Sequence, residues 1–305
     1  MAFEPPRRLA RALGEENAAP GAGAWLARLP EIVADVVARR GLDVERVVAP
    51  GGRNSLVLLV RTDGAAAPAA LKVAPPFAEP AAERAALAHW KGWGAVETYE
   101  TGADDVDGGD GDGALLLERL RPEVSLRSLP DAKALLEAAG TIRRLWVQPP
   151  AGHAFETVED RTGREARAMQ GGDGPEALVD AALRAREAML ATADESLLLH
   201  GAFRQGKVLA GERSPWLAVG PEPVVGERAY DLARLARDRV EDLIASDTGA
   251  STARRRMRRL ADSLDVDGDR LRSWTLFRAV ESGTRAARAG RDSTAEVLLE
   301  YASWL

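Results

Sequence analysis

The stretch LLLHGAFRQGKVLAGERSPWLAVGPEPVVGERAYDLARLARDR (197–239) combines short apolar runs, turns that contain glycine and proline, and the beginning of a helical pattern. Three runs in or beside it have the length of strands: SLLLH (196–200), KVLAG (207–211) and PWLAVG (215–220). From residue 230 to 244, apolar residues recur at helical spacing. We therefore expect short strands joined by tight turns, followed by a helix.

The rest of the chain has a strand-rich first part and a helix-rich second part. A helix is predicted at 24–41, and the apolar runs LVLLV (56–60) and ALLLE (114–118) indicate strands. After about residue 121, helical periodicity dominates. Besides 230–244, it occurs at 129–148, 175–193, 251–264, 269–289 and 293–304. This pattern predicts an α+β fold with two domains, residues 1–120 and 121–305.

The composition excludes several functional classes. The 305 residues include 41 Lys and Arg against 47 Asp and Glu, a net charge of −6, so we expect no nucleic-acid partner. The chain has no cysteine, which excludes disulfides, thiolate catalysis and cysteine-bound zinc. No apolar run approaches the length of a membrane span, and no apolar signal region follows the N-terminal arginines. We therefore expect a cytoplasmic protein that does not bind membranes.

Two acidic segments and one glycine motif have simpler explanations than a ligand site. The segment at 101–113 places Asp110 where a calcium loop requires glycine, and the run at 265–269 places Arg270 there. We expect an exposed loop and a helix-initiating turn, respectively. GAFRQGK (201–207) matches a phosphate-binding loop, but Val208 replaces the hydroxyl residue that would hold magnesium.

A more extensive pattern occurs in three blocks of residues 200–233. The first block is His200, Gly201, Gly206, Val208 and Leu209; the second is Trp216, Leu217, Ala218, Pro221 and Pro223; the third is Val225, Gly226, Ala229, Tyr230, Asp231, Leu232 and Ala233. With these blocks the chain resembles the aminoglycoside phosphotransferase-like kinases, closest to their streptomycin 6-kinase and hydroxyurea phosphotransferase branch. The resemblance covers roughly residues 20–290. It implies a two-lobed, protein-kinase-like fold with a β-rich N-lobe and a helical C-lobe.

Four residues of the first domain acquire a role from the resemblance. Gly51 and Gly52 correspond to the turn that covers the nucleotide, Lys72 to the lysine that holds its phosphates, and Glu83 to the helix partner of that lysine. The resemblance thus implies ATP or another nucleotide as a ligand. An ordinary ion pair between packed elements is the alternative for Lys72 and Glu83.

The catalytic positions depart from the family pattern. The catalytic aspartate corresponds to Ala202, the two metal ligands correspond to Lys207 and Gly220, and the loop histidine corresponds to Arg204. A general base contributes about 10²- to 10⁴-fold to the rate, and magnesium stabilises the transferred phosphoryl group further. The sequence therefore predicts a pseudokinase with no intact catalytic residue and no bound magnesium.

The same replacements add positive charge. Two lost aspartates and two gained cations move the site by roughly four charge units, which favours anions. We expect Arg204 and Lys207, with Lys72, to hold nucleotide phosphates or another anion in the interlobe cleft. The alternative is that Arg204 and Lys207 point into solvent. The resemblance implies structural roles in the loop for the remaining two residues, His200 and Asp231.

Three functions follow from these expectations. The first is a pseudokinase that binds a small molecule, a nucleotide or a protein partner. The second is a repurposed enzyme of secondary metabolism that uses the same cleft for metal-independent chemistry. The third is a weakly active antibiotic phosphotransferase with Asp231 or Glu222 as a substitute base.

Overall fold

The computed structural model describes residues 4–15, 19–62, 67–99, 113–171 and 174–305. Two compact units make up the chain: Met1–Val124 with Leu209–Val219, and Ser125–Val208 with Gly220–Leu305. Of the acidic segment 101–113 that the sequence predicts as a loop, all but Gly113 lies outside the described residues.

The described residues contain strands and helices in the following order. The strands are β1 (Leu42–Val47), β2 (Leu56–Thr62), β3 (Pro68–Val73), β4 (Ala114–Glu118), β5 (Arg121–Ser125), β6 (Leu197–Leu199), β7 (Val208–Ala210), β8 (Leu217–Ala218) and β9 (Val224–Gly226). The helices are α1 (Arg7–Leu13), α2 (Ala22–Arg39), α3 (Pro80–Trp90), α4 (Asp131–Leu145), α5 (Val158–Gln170), α6 (Glu176–Ala191), α7 (Arg228–Ala236), α8 (Val240–Ile244), α9 (Gly249–Leu264), α10 (Gly268–Arg288) and α11 (Asp292–Ser303).

The first unit is built on a four-stranded antiparallel sheet with the order β1-β2-β3-β4. Leu58 and Val60 of β2 lie on the same face, since side chains alternate along a strand. They belong to one buried cluster with Leu29, Val33 and Val36, which recur at helical spacing on α2. Burial of this apolar face is the main source of stability for the sheet.

Residues 209–219 belong to the first unit, although residues 125–208 of the second unit precede them along the chain. Here β7 and β8 form a three-stranded sheet with β5, in the order β5-β7-β8. Arg213, between β7 and β8, donates to the carbonyl oxygens of Gly92 (2.8 Å) and Ala95 (3.1 Å) and to the carboxylate of Glu118 (2.8 Å). The sequence placed one boundary after residue 120. In the structure, strand pairing and the long-range contacts of Arg213 also place residues 209–219 in the first unit. Hydrophobic periodicity does not predict which distant strands pair, so the sequence does not indicate this second crossing.

Helix α10 is the centre of the second unit and packs against α5, α6, α7, α9 and α11. Its buried Trp274 meets Tyr230 of α7 edge to face, with ring centroids 5.2 Å apart. Asp267 caps this helix by accepting from the backbone amides of Asp269 and Arg270, which confirms the helix-initiating turn predicted at 265–269.

The antiparallel pair β6–β9 supports the loop that begins at His200. The β-sheet unit and the helical unit together confirm the predicted α+β class. In the described part of the chain, no helix combines the length and the apolar character needed to cross a membrane.

Candidate functional site

Asp231 anchors the loop that follows β6. This residue is fully buried in the first turns of α7. Its carboxylate accepts from the backbone amides of His200 (3.0 Å) and Gly201 (2.9 Å) and from the indole nitrogen of Trp146 (3.3 Å). Burial raises the pKa of Asp231, although Arg278 and these hydrogen bonds oppose the rise. The sequence places an anchoring residue here, and its contacts define the loop path.

Gly201 allows this loop to pass close to another segment. Its φ is +73°, and a Cβ at this position would lie 1.9 Å from the carbonyl oxygen of Glu222. Glycine therefore satisfies both the left-handed backbone conformation and the close approach. The side chain of the next residue, Ala202, is a buried methyl group, which can neither accept nor donate a proton.

Lys207 and Gly220 come together in the structure. Lys207 Nζ donates to the carbonyl oxygen of Gly220 at 2.7 Å and forms an ion pair with Glu222 Oε1 at 3.1 Å. The lysine side chain is only 18% exposed, so the alternative in which Lys207 points into solvent is wrong. The family resemblance implies metal ligands at positions 207 and 220, and here the ammonium of Lys207 donates to the backbone carbonyl of Gly220.

The environment of Lys207 perturbs two ionisable groups. Burial lowers the pKa of Lys207 to about 8; Glu222 opposes this shift, whereas Arg234 and Arg204 reinforce it. The pKa of Glu222 is lowered, mainly by the charge of Lys207. At neutral pH the pair is therefore an ammonium and a carboxylate.

Sequence reasoning missed several arginines in the second unit. Arg278 of α10 donates to the carbonyl oxygens of Gly201 (2.8 Å) and Tyr230 (3.1 Å), and its guanidinium lies 4.3 Å from the centroid of the Tyr230 ring. Arg234 and Arg237, near the end of α7, are the other two. A charged residue within the apolar spacing of a helix was the available signal, but periodicity alone assigns it no partner.

The first unit holds the other candidate residues. Lys72 on β3 forms an ion pair with Glu83 in the first turn of α3, and Glu83 is only 2% exposed. The turn between β1 and β2 contains Gly51, with a φ of +69°, and Gly52. At Gly51 a Cβ would lie 3.1 Å from the carbonyl oxygen of residue 48, so a side chain would crowd this turn.

The residues at the positions where the family resemblance implies metal ligands do not fit magnesium. Magnesium prefers oxygen ligands, whereas the side chain of Lys207 is a hydrogen-bond donor and Gly220 has no side chain that could supply an oxygen. The carbonyl of Gly220 already accepts from Lys207, and the carboxylate of Glu222 is paired with the same ammonium. Across the described ranges, no group of three or more His, Cys, Asp or Glu side chains is arranged to hold a metal ion.

Comparisons with known proteins agree on one family. The family model for aminoglycoside/hydroxyurea antibiotic resistance kinases matches residues 40–290. A streptomycin 6-kinase of Streptomyces glaucescens is 31% identical over 292 residues, which cover 90% of this chain and 86% of the relative. A hydroxyurea phosphotransferase of Kitasatospora aureofaciens is 36% identical over 294 residues, 89% of this chain and 79% of that protein.

Solved structures share the fold. The crystal structure of aminoglycoside phosphotransferase APH(4)-Ia superposes with a TM-score of 0.62 at 14% identity, covering 90% of this chain and 97% of the other. Amicoumacin kinase hAmiN also gives a TM-score of 0.62, at 12% identity, with 92% and 96% covered. The predicted kinase-like α+β fold is confirmed.

Proposed function

Because the chain belongs to the aminoglycoside/hydroxyurea antibiotic resistance kinase family, we propose that it is a catalytically degenerate member, which binds a nucleotide or another anionic small molecule without transferring phosphate. The observation that carries this proposal is the bond from Lys207 Nζ to the carbonyl oxygen of Gly220. The ammonium of Lys207, at one of the two positions where the family resemblance implies metal ligands, donates to the backbone carbonyl at the other, Gly220.

The positive charge of Lys207 supports binding of an anion more than phosphoryl transfer. An ammonium attracts phosphate oxygens as a point charge, but it does not bridge them with the directional coordination of magnesium. At position 202, where the resemblance implies the catalytic aspartate, the methyl group of Ala202 accepts no proton. Loss of a general base alone costs about 10²- to 10⁴-fold in rate.

Neither substitute base has suitable contacts. Asp231 is fully buried, and both of its oxygens accept hydrogen bonds from the loop that it anchors. Glu222 is an ion-pair partner of Lys207, and its lowered pKa makes it a weak proton acceptor. These contacts argue against a kinase that uses either carboxylate.

A second candidate is an enzyme that uses this segment for metal-independent proton transfer. It is favoured by the pKa of Lys207, which burial lowers to about 8, near the range in which general bases operate. Turnover of ATP in EDTA that Lys207→Met abolishes would favour this candidate over a binding protein.

The deciding experiment measures transfer and binding on the same full-length chain. We expect no ATP-dependent phosphorylation of streptomycin or hydroxyurea above a no-enzyme control. Calorimetry should detect ATP with similar affinity in magnesium and in EDTA, and Lys207→Met should weaken binding in EDTA. Arg254→Gln, on the exposed face of α9, is the matched control. Phosphoryl transfer that requires magnesium and is lost in Lys72→Ala would overturn the proposal.

A further inference from the structure

Arg234 is a partly buried cation without a counter-charge in direct contact. Among the described residues it forms no hydrogen bond or ion pair, and its Nε is buried without an acceptor. A buried guanidinium that lacks acceptors is costly, because its hydration is lost and not replaced. A ligand that supplies acceptor oxygens to Arg234 would remove this cost.

Two neighbouring arginines share this feature. Arg237 is 8% exposed; one terminal nitrogen donates to Ser282 Oγ at 2.9 Å, but Nη1 is buried without a partner. The Nε of Arg204 is also buried and unpartnered. Three guanidinium groups from the catalytic-loop segment and the end of α7 thus have buried donors in excess of the acceptors that the described residues supply.

Like charges act on one another in this cluster. The pKa of Arg234 is lowered to about 10, first by burial and then by Arg278, with Arg204 and Arg285 adding to the effect. The pKa of Arg237 falls to about 9, because of burial and then the charges of Arg234 and Arg278. These shifts indicate cations that lie within electrostatic range and repel one another.

The nearby carboxylates are already engaged. Glu222, which attracts Arg234, is paired with Lys207, and Glu281, which attracts Arg237, is paired with Arg285 at 3.0 Å. The protein thus supplies ammonium and guanidinium donors without enough free acceptors. A ligand that complements such a set is rich in acceptor oxygens and carries more than one negative charge.

We propose that Arg204, Arg234 and Arg237 form a binding site for a phosphoryl group, so that the ligand of this protein is a phosphorylated small molecule. Guanidinium forks match phosphate oxygens with two parallel N–H···O bonds, which selects phosphate over a halide ion of single charge. The site lies entirely within the second unit and does not involve Lys72. It deepens the proposed function and rests on it, since it names the chemical class of the bound anion.

The test uses calorimetry on the full-length chain in EDTA with three probes: inorganic phosphate, pyrophosphate and ATP. We expect pyrophosphate to bind, and Arg234→Gln and Arg237→Gln each to weaken it at least tenfold. Arg254→Gln, exposed on α9, should leave the affinity unchanged. The ligand is a nucleotide if ATP binds more tightly than pyrophosphate and Lys72→Ala lowers the affinity for ATP to that for pyrophosphate. Equal affinities identify a phosphorylated metabolite of another kind.

Stability without ligand gives an independent readout. Arg234→Gln removes a repelled charge, so the melting temperature of the unliganded variant should equal or exceed that of the wild type. A clear loss of stability in Arg234→Gln would overturn the proposal, since it would make Arg234 a structural residue. Equal pyrophosphate affinity in the wild type and Arg234→Gln would overturn it as well, as would no binding. None of these outcomes depends on phosphoryl transfer, the result that would refute the proposed function.

Discussion

The Nζ of Lys207 lies 2.7 Å from the carbonyl oxygen of Gly220, so one side chain connects two loop positions that are thirteen residues apart. The same ammonium pairs with Glu222 and lies within electrostatic range of Arg204 and Arg234. Its protonation state therefore affects the charge of the whole segment.

Binding of anions should depend on the protonation of Lys207. Because burial lowers its pKa to about 8, the folded protein loses this charge as pH rises through 8. We expect the affinity for pyrophosphate in EDTA to fall between pH 7 and 8.5, where the pKa values of Arg234 (about 10) and Arg237 (about 9) still leave them mostly protonated. Calorimetry across this range measures the effect.

Two variants separate Lys207 from other groups. Lys207→Arg keeps its charge at these pH values, so its affinity should stay constant. Lys207→Met should bind weakly throughout. A wild-type decline that persists unchanged in Lys207→Met would assign the titration to another group.

Asp231→Asn should destabilise the second unit. An amide group supplies only one acceptor oxygen and turns a donor toward the backbone amides of His200 and Gly201. We expect a loss of about 1–3 kcal/mol in the free energy of unfolding, the cost of a buried unsatisfied group. Urea denaturation measures it, with Asp262→Asn on the exposed face of α9 as control. A loss below 0.5 kcal/mol would show that the loop does not depend on Asp231.

Glu165 should make stability depend on pH. Burial, and next the charge of Glu281, raise its pKa from 4.5 to about 7. Between pH 4.5 and about 7, the carboxyl group of Glu165 keeps its proton in the folded protein but loses it in the unfolded chain. This contribution is fully present below pH 4.5 and is lost as pH rises to about 7.

The variant Glu165→Gln should flatten that profile. The expected change is roughly 1.4 kcal/mol for each unit of pKa shift, measured by urea denaturation from pH 5 to 8. Glu187→Gln, at an exposed position of α6, should retain the wild-type slope. The same slope in Glu165→Gln and the wild type would contradict the raised pKa.

Gly201→Ala should strain the loop. A methyl group at φ +73° costs roughly 1–2 kcal/mol, and the clash with the carbonyl oxygen of Glu222 adds to it. Gly23→Ala on α2 is a matched control, because nothing lies within 4 Å of its Cβ position and alanine favours helix. Thermal unfolding should show a lower midpoint for Gly201→Ala and an equal or higher one for Gly23→Ala. Equal midpoints in the two variants would be inconsistent with the close approach.

Lys72→Met should destabilise the first unit. It leaves the carboxylate of Glu83, which is 2% exposed, without its cation. Breaking a buried pair in this way costs about 3–5 kcal/mol, whereas replacing both partners by apolar residues is close to neutral. Lys72→Met with Glu83→Leu should therefore recover most of the stability in denaturant unfolding. A double variant as unstable as Lys72→Met would mean that the pair holds the sheet and α3 together through more than charge.

Parts of the candidate site were predictable because their signals are local. The residues named in the three blocks between positions 200 and 233 match the family pattern by identity and spacing, and Asp267 followed by a helical pattern predicts a cap. The ion pair of Lys72 with Glu83 was expected from the resemblance alone. The sequence did not predict that residues 209–219 belong to the first unit. Arg213 donates to Ala95 and Glu118, which are more than ninety positions away along the chain, and local patterns do not report such contacts.

The amino-acid sequence by itself determined the family, the α+β class and the identity of the residues at positions 202, 207 and 220. These features depend on residue type and on short-range periodicity, which a chain displays without folding. Only the tertiary structure decided that Lys207 turns to Gly220 and Glu222, and that Arg234 and Arg237 keep buried donors unpartnered. Burial and charge pairing are properties of neighbours distant along the chain, so folding is needed to define them.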